Sequence, residues 1–192
     1  EKVRILEKMQ LGTFALVLCA SAALLYALLS LDFSLSYVAR YTDSALPLFY
    51  TIAAFWAGQE GSVLFWMLLI ASFGFLLARA AAYQKLSQRH RLYFWLFYML
   101  AQAFFLLMLT QMSNPFSMLA NPPADGQGLN PLLRNIGMVL HPPLLFVGYA
   151  GFTIPACLAL GAVLAGENKA WHEPSHNWIL MSWATLTAGI LL

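Results

Sequence analysis

Long apolar runs without a Lys, Arg, Asp or Glu divide the chain, and shorter polar segments separate them. The runs are Leu11–Leu31, Gly61–Ala78, Leu92–Met112, Leu140–Ala165 and Trp178–Leu192. A helix of about 20 apolar residues crosses the hydrocarbon core of a bilayer. The first four runs are long enough to do so, and the fifth reaches the last residue of the sequence. The pattern therefore predicts an all-α polytopic membrane protein with four transmembrane helices and a truncated fifth.

The segment 44–59 is apolar as well, but it is shorter and contains Pro47 and Gly58. Charge placement indicates whether it spans. If it lies at the interface and the N-terminus is cytoplasmic, eight of the ten Lys and Arg residues face the cytoplasm, and only Arg40 and Arg134 face outwards. If it spans, the split becomes four to six. The positive-inside rule favours the first arrangement. We therefore expect an interfacial helix near 44–59, a cytoplasmic N-terminus, and outer segments at 32–60 and 113–140.

The composition agrees with a membrane location. Hydrophobic residues make up 61% of the chain and charged residues 9%, whereas soluble domains carry about 25% charged residues. The net charge of +2 is scattered, so no basic face for nucleic acid is predicted. We expect a single transmembrane helical domain over 1–192. Because the sequence starts without Met and stops within an apolar run, it is interpreted as a fragment of a longer chain.

His141 is the histidine that lies within a long apolar run, and Pro142 and Pro143 follow it. Proline is tolerated in the first turn of a helix, so the pair predicts a helix that starts at His141. A helix from there to Glu167 rises about 39 Å, which exceeds the hydrocarbon core of about 30 Å. His141 is therefore expected near the outer boundary. Two roles remain open: a helix cap, or a ligand of haem iron beside the small residue Gly137.

Two residues of the outer segment are further candidates for function. Glu60 lies between Gly58 and Gly61, which indicates a tight turn into the next helix, whose dipole favours a carboxylate at its start. Contact with a proton, a quinol or another ligand is the alternative. Trp56 belongs to an aromatic outer layer, which is either an interfacial belt or a surface for a planar amphiphilic ligand.

Two other groups of histidines are assigned no chemistry. His172 and His176 match the zinc-protease pattern H-E-x-x-H. That pattern needs a regular helix, and Pro174 would break the helix or force its start, so we expect two solvated histidines in a cytoplasmic loop. His90 lies between Arg89 and Arg91, which indicates a cytoplasmic anchor cluster.

Two segments resemble the CcmF/NrfE family, the large membrane subunits of the cytochrome c haem lyase. They are the run from Gly128 through His141-Pro142-Pro143 to Phe152, and the segment 44–62. The resemblance implies that His141 is an axial ligand of a membrane-embedded haem b, with Gly137, Pro142 and Tyr149 in the cofactor site. The second ligand would follow residue 192. Relatives often carry His before the position of Glu60, whereas this chain has Gln59.

The resemblance also implies an activity. Such a subunit supports haem reduction and the covalent attachment of haem to apocytochrome c on the periplasmic side of the bacterial inner membrane. The implied partners are membrane lipid, a haem chaperone of the CcmE type, a CcmH-type thiol subunit, apocytochrome c and quinol as the electron source. Two alternatives stay open. A transporter subunit is disfavoured because few ionisable groups lie within the spans. A quinol-oxidising cytochrome b-like subunit would bind haem without lyase activity.

Overall fold

The computed structural model describes residues 1–192, apart from the side chain of Met138. The helices are α1 (Lys2–Leu29), α2 (Ser36–Tyr41), α3 (Leu48–Ala53), α4 (Gln59–Leu77), α5 (Ala81–Gln84), α6 (Gln88–Gln111), α7 (Ile136–Ala165) and α8 (His172–Leu191), with single 3-10 turns at Ala54–Trp56 and Pro131–Leu133. Among the described residues, four helices are long and apolar enough to cross a membrane, namely α1, α4, α6 and α7. The predicted all-α membrane architecture is confirmed.

The helices extend beyond the charge-free runs that predict them. α1 begins at Lys2 and α6 at Gln88, before the apolar runs start at Leu11 and Leu92. Long basic side chains can continue a helix because their aliphatic stems lie along apolar surface while the charge reaches water. The Ser87 side chain caps α6 by accepting from the N–H of His90. A charge-free run therefore marks the lipid-buried part of a helix and not its ends.

The segment 44–59 does not cross a membrane. α3 has six residues and continues into a 3-10 turn at Ala54–Trp56, and α4 follows after the extended residue Gly58. A helix of this length reaches about 9 Å at 1.5 Å per residue, far less than the hydrocarbon core. The predicted short, non-spanning helix is confirmed.

Contacts between distant segments show which loops share a side. At one end, the side chain of Tyr83 on α5 donates to Glu7 on α1 at 3.0 Å, and Lys85 pairs with Glu173 on α8 at 3.1 Å. At the opposite end, residues 32–47 pair with residues 113–134. Ser36 N–H donates to Ser117 O at 2.8 Å. The loops are thus grouped at the two ends of the bundle as the positive-inside rule predicts. Which end faces the cytoplasm stays a prediction.

α4 lies at the centre of the bundle, where it packs against α1, α6 and α7, and α8 packs along α7. The buried polar side chains between α1, α4 and α6 are uncharged and paired. Gln10 donates to the Ala71 carbonyl at 2.8 Å and accepts from Gln102 at 2.7 Å. Such pairing is required where no water reaches the amide groups.

Two helix starts differ from the prediction. α7 begins at Ile136, after Asn135 accepts from the N–H of Gly137 at 2.8 Å, so Pro142 and Pro143 lie inside the helix. The predicted start at His141 is wrong, because proline interrupts individual hydrogen bonds in a membrane helix without ending it when a neighbour satisfies the freed carbonyl.

α8 begins at His172, so the expected loop at His172–His176 is also wrong. Pro174 forces no break because it occupies the first turn. His172 and His176 are exposed, as expected. Within the described part of the chain, no group of three or more His, Cys, Asp and Glu residues could hold a metal ion.

Candidate functional site

His141 lies in the second turn of α7, half-buried against the far end of α8. Its Nδ1 is 2.7 Å from the carbonyl oxygen of Gly189. Because a carbonyl can only accept, Nδ1 carries the proton and donates it, so Nε2 has the free lone pair. In the described part of the chain, Nε2 has no hydrogen-bond partner. Histidines that bind metals are typically held in this way, with the other ring nitrogen donating to a carbonyl or carboxylate.

Three glycines allow α8 to approach α7 closely enough for this bond. A Cβ on Gly189 would lie 2.8 Å from Leu145 Cδ2, and one on Gly148 would lie 2.8 Å from Leu186 Cδ2. A Cβ on Gly151 would overlap the Ser182 hydroxyl. Small residues let membrane helices pack backbone to backbone. The position of His141 relative to Gly189 therefore depends on this seam, which the sequence analysis did not identify.

Trp56 contacts the same part of α7 from the outer segment. Its indole Nε1–H donates to the Val139 carbonyl at 3.1 Å. In a regular helix this carbonyl would accept from the backbone nitrogen of residue 143, but Pro143 has no N–H. Trp56 thus supplies the donor that Pro143 lacks. A small cavity of about 70 Å³ lies beside this contact, lined by residues that include Trp56, Val139 and Pro142.

The Tyr37 hydroxyl organises the turn that carries Trp56. It lies 2.8 Å from the Ala54 carbonyl and 3.1 Å from the Phe55 carbonyl, and it accepts from the N–H of Gly58 at 3.1 Å. Burial raises the pKa of Tyr37 above its usual range, so the phenol stays protonated and remains a donor. A Cβ on Gly61 would overlap the Phe55 carbonyl and the Tyr37 hydroxyl, so only glycine fits there.

Glu60 lies in the first turn of α4, at the helix start that its flanking glycines indicate. Its carboxylate pairs with Arg40 at 2.5 Å, and this hydrogen bond raises the pKa of the Arg40 guanidinium. The pair joins α2 to α4, and the carboxylate also interacts favourably with the helix dipole. These contacts favour the structural role over a ligand contact.

Aromatic rings connect Trp56 to Tyr149 along one side of α7. Ring centroids are separated by 5.7 Å between Trp56 and Phe65, 5.9 Å between Phe65 and Phe146, 5.5 Å between Phe146 and Trp66, and 5.6 Å between Trp66 and Tyr149. Tyr149 therefore packs against α4, whereas His141 faces α8. Of the residues expected in one cofactor site, the structure brings His141, Gly137 and Pro142 to the N-terminal end of α7 and places Tyr149 on the α4 side.

His90 is a second buried histidine. It is fully buried on α6, with Nε2 at 2.8 Å from the Leu158 carbonyl and Nδ1 at 3.8 Å from the Glu167 carboxylate. Gly161 gives the ring its space, because a Cβ there would lie 3.1 Å from His90 Cδ2. The sequence analysis placed His90 in a cytoplasmic anchor cluster and did not predict this burial. Ser87 three positions earlier was the available signal, since it predicts a helix start that would carry His90 into the bundle.

Known proteins resemble this chain over most of its length. The family described as "Cytochrome C assembly protein" matches residues 56–192. The chain is 41% identical to the cytochrome c-type biogenesis protein CcmF of Pseudomonas fluorescens, over 94% of this chain and 27% of that protein. It is 39% identical to the cytochrome c-type biogenesis protein NrfE of Haemophilus influenzae, over 84% of this chain and 25% of that protein.

A solved structure has the same helical arrangement. The cytochrome c haem lyase CcmF superposes on 97% of this chain with a TM-score of 0.84 and 30% sequence identity, and the match covers 29% of that protein. The chain therefore spans between a quarter and a third of the length of these relatives. The apolar helices and these relatives identify a multi-pass protein of the bacterial inner membrane. The chain belongs to the CcmF/NrfE family of cytochrome c assembly proteins.

Proposed function

We propose that this chain is a haem-binding part of a cytochrome c haem lyase membrane subunit, with His141 as an axial ligand of a b-type haem. The hydrogen bond from His141 Nδ1 to the Gly189 carbonyl carries the proposal. It holds the ring in one tautomer and directs the lone pair of Nε2 away from the α7–α8 seam. This arrangement is typical of histidines that ligate a metal.

The surroundings of His141 suit a flat apolar macrocycle. Exposed apolar side chains flank the His141–Gly189 contact on both helices, with Leu140 on α7 and Ile190 and Leu191 on α8. Gly137 carries no side chain, so the first turn of α7 presents only backbone at that position. Because His141 is only two turns from the start of α7, a haem near the outer membrane surface is favoured over one at mid-depth.

The remaining residues have supporting roles in this proposal. Pro142 lines the small cavity beside Trp56. Tyr149 packs on Trp66 of α4, so its link to the site is the series of aromatic rings that ends at Trp56. Glu60 holds the outer segment to α4 through Arg40. A second axial ligand would come from outside residues 1–192. Haem bound at His141 would supply a one-electron redox centre beside the outer segments.

The proposed orientation has the N-terminus in the cytoplasm and His141 on the periplasmic side, in line with the distribution of Lys and Arg. The proposed partners are a haem chaperone of the CcmE type, apocytochrome c, whose cysteines receive the haem, and a CcmH-type thiol subunit. Quinol is the proposed electron source. The relatives named for cytochrome c biogenesis support these partners over the substrates of a transporter.

A visible absorption spectrum of the purified full-length protein tests the proposal. We expect a b-type haem spectrum that is lost in His141→Ala and retained in His176→Ala, a matched control at an exposed histidine on the opposite side of the bundle. A full-length protein without haem contradicts the proposal. A cytochrome c maturation assay then distinguishes a lyase subunit from a quinol-oxidising cytochrome b-like protein. Only if the protein is a lyase subunit should His141→Ala abolish the formation of holocytochrome c.

A further inference from the structure

We infer that Trp56 is a positioning residue for His141, acting from the outer segment through the backbone carbonyl that Pro143 leaves without a donor. The haem-binding part of this inference rests on the proposed function. Its structural part stands on the contact between Trp56 and Val139, which can be measured without haem.

The first step is the backbone hydrogen bonds of α7. Pro143 cannot donate, so the Val139 carbonyl, four residues earlier, has no helical partner. An unsatisfied carbonyl away from water costs several kcal/mol. The indole N–H of Trp56 lies 3.1 Å from this oxygen and donates to it. Indole nitrogen is a donor only, so the carbonyl and the indole satisfy one another.

The second step is the rigidity of Trp56. Its carbonyl accepts from the Ser62 hydroxyl on α4 at 2.8 Å, and its ring packs on Phe65. The 3-10 turn that contains it is tied to Tyr37 on α2 through the Ala54 and Phe55 carbonyls. The donor is therefore fixed by α2 and α4, which makes it a stable reference point for α7.

The third step connects this contact to the imidazole. Val139 and His141 belong to the same turn of α7, two residues apart. That turn is held on one side by Trp56 and on the other by the bond from His141 to Gly189 on α8. If the indole N–H is lost, the Val139 carbonyl must turn towards another donor. The backbone that carries His141 then rotates, the Nδ1 bond to Gly189 weakens, and Nε2 loses its fixed direction.

A double-mutant cycle in the full-length protein tests this coupling. Trp56→Phe removes the donor and keeps an aromatic ring, whereas Pro143→Ala returns a backbone N–H to the Val139 carbonyl. We expect Trp56→Phe to weaken haem binding about tenfold, the effect of one buried hydrogen bond. In the Pro143→Ala background, the same substitution should change binding less than twofold. Trp183→Phe, at an exposed tryptophan on α8, is the matched control and should have no effect.

The second readout uses haem-free protein. Nitrogen-15 NMR of the histidine rings should show His141 protonated at Nδ1 in the wild type, a mixture of tautomers in Trp56→Phe, and the Nδ1 form restored in the double variant. An unchanged tautomer together with unchanged affinity overturns the inference. A wild type that binds no haem but shows these NMR changes contradicts the proposed function and leaves the positioning role intact. If Trp56→Phe does not fold, Pro143→Ala should rescue folding, and failure of that rescue also overturns the inference.

Discussion

Replacing Gly61 by alanine tests whether the outer segment holds the start of α4 as closely as the structure indicates. The added Cβ would overlap the Phe55 carbonyl oxygen and the Tyr37 hydroxyl, and would lie 2.7 Å from Tyr37 Cζ. An ordinary contact of this kind is 3.4–4 Å. The phenol ring must therefore move by at least 0.7 Å, the difference between 3.4 and 2.7 Å. The Phe55 carbonyl cannot escape by rotation because it is backbone.

The cost follows from these two neighbours. Overpacking a buried site costs about 1–3 kcal/mol, and the displaced Tyr37 hydroxyl loses hydrogen bonds that each contribute about 1 kcal/mol. We expect the free energy of unfolding to fall by about 2–4 kcal/mol. Because the same hydroxyl holds the turn that carries Trp56, haem affinity should fall as well.

Unfolding of the full-length protein in mixed micelles, followed by circular dichroism as the fraction of denaturing detergent rises, measures this loss. Gly12→Ala is the matched control, since a Cβ there would meet no atom within 4 Å. Its expected effect lies between zero and a stabilisation of about 1 kcal/mol from helix propensity. Equal stability of the two variants would refute the packing described around Gly61.

Three further predictions concern the outer segments and the α7–α8 seam. The Asp125 carboxylate accepts from the hydroxyl and the N–H of Ser44, which lowers the pKa of Asp125 below 3.8. The hydrogen bonds from Ser44 to the ionised Asp125 carboxylate therefore stabilise the protein above pH 3.8, and this stabilisation is lost as the pH falls through the lowered pKa. An NMR titration of the Ser44 amide proton should follow the protonation of Asp125. Asp125→Asn should abolish that titration. For the Arg40–Glu60 pair, whose side chains are 42% and 17% exposed, a double-mutant cycle of unfolding free energies should give a coupling of about 0.2–1 kcal/mol; a larger value would contradict its partial solvent screening. Gly151→Leu places a side chain in space filled by α8 and should abolish the haem spectrum, while the total helix content measured by circular dichroism should not change.

Much of the architecture followed from the apolar pattern. The four spanning helices could be located because about 20 apolar residues have no stable place other than the bilayer. The distribution of Lys and Arg, which depends only on sequence, correctly predicted that the short segment near α3 does not span the membrane. The family was recognised from the residues around His141, and the comparisons confirm it.

The errors concern contacts between segments that are distant in sequence. The prolines after His141 indicated a helix start because a freed carbonyl is costly, yet Trp56, 83 positions away from Val139, supplies the missing donor. His90 was grouped with its basic neighbours in a cytoplasmic anchor cluster, but Gly161 on α7 provides the space that buries it. Neither partner could be identified from the local pattern, since each lies on a different helix.

By itself the sequence determined the class of protein and the approximate spans, because these properties are set by hydrophobic length, charge and residue type, which are local. For His141 the residues left a helix cap and a haem ligand open, and only the resemblance to a family favoured the ligand. Only the tertiary structure decided which nitrogen of His141 is free, because that depends on the Gly189 carbonyl. The glycine seam between α7 and α8 sets that distance, and Trp56 holds the opposite side of the same turn. Hydrogen bonds between helices depend on packing to within a few tenths of an ångström, which the periodicity of one helix does not encode.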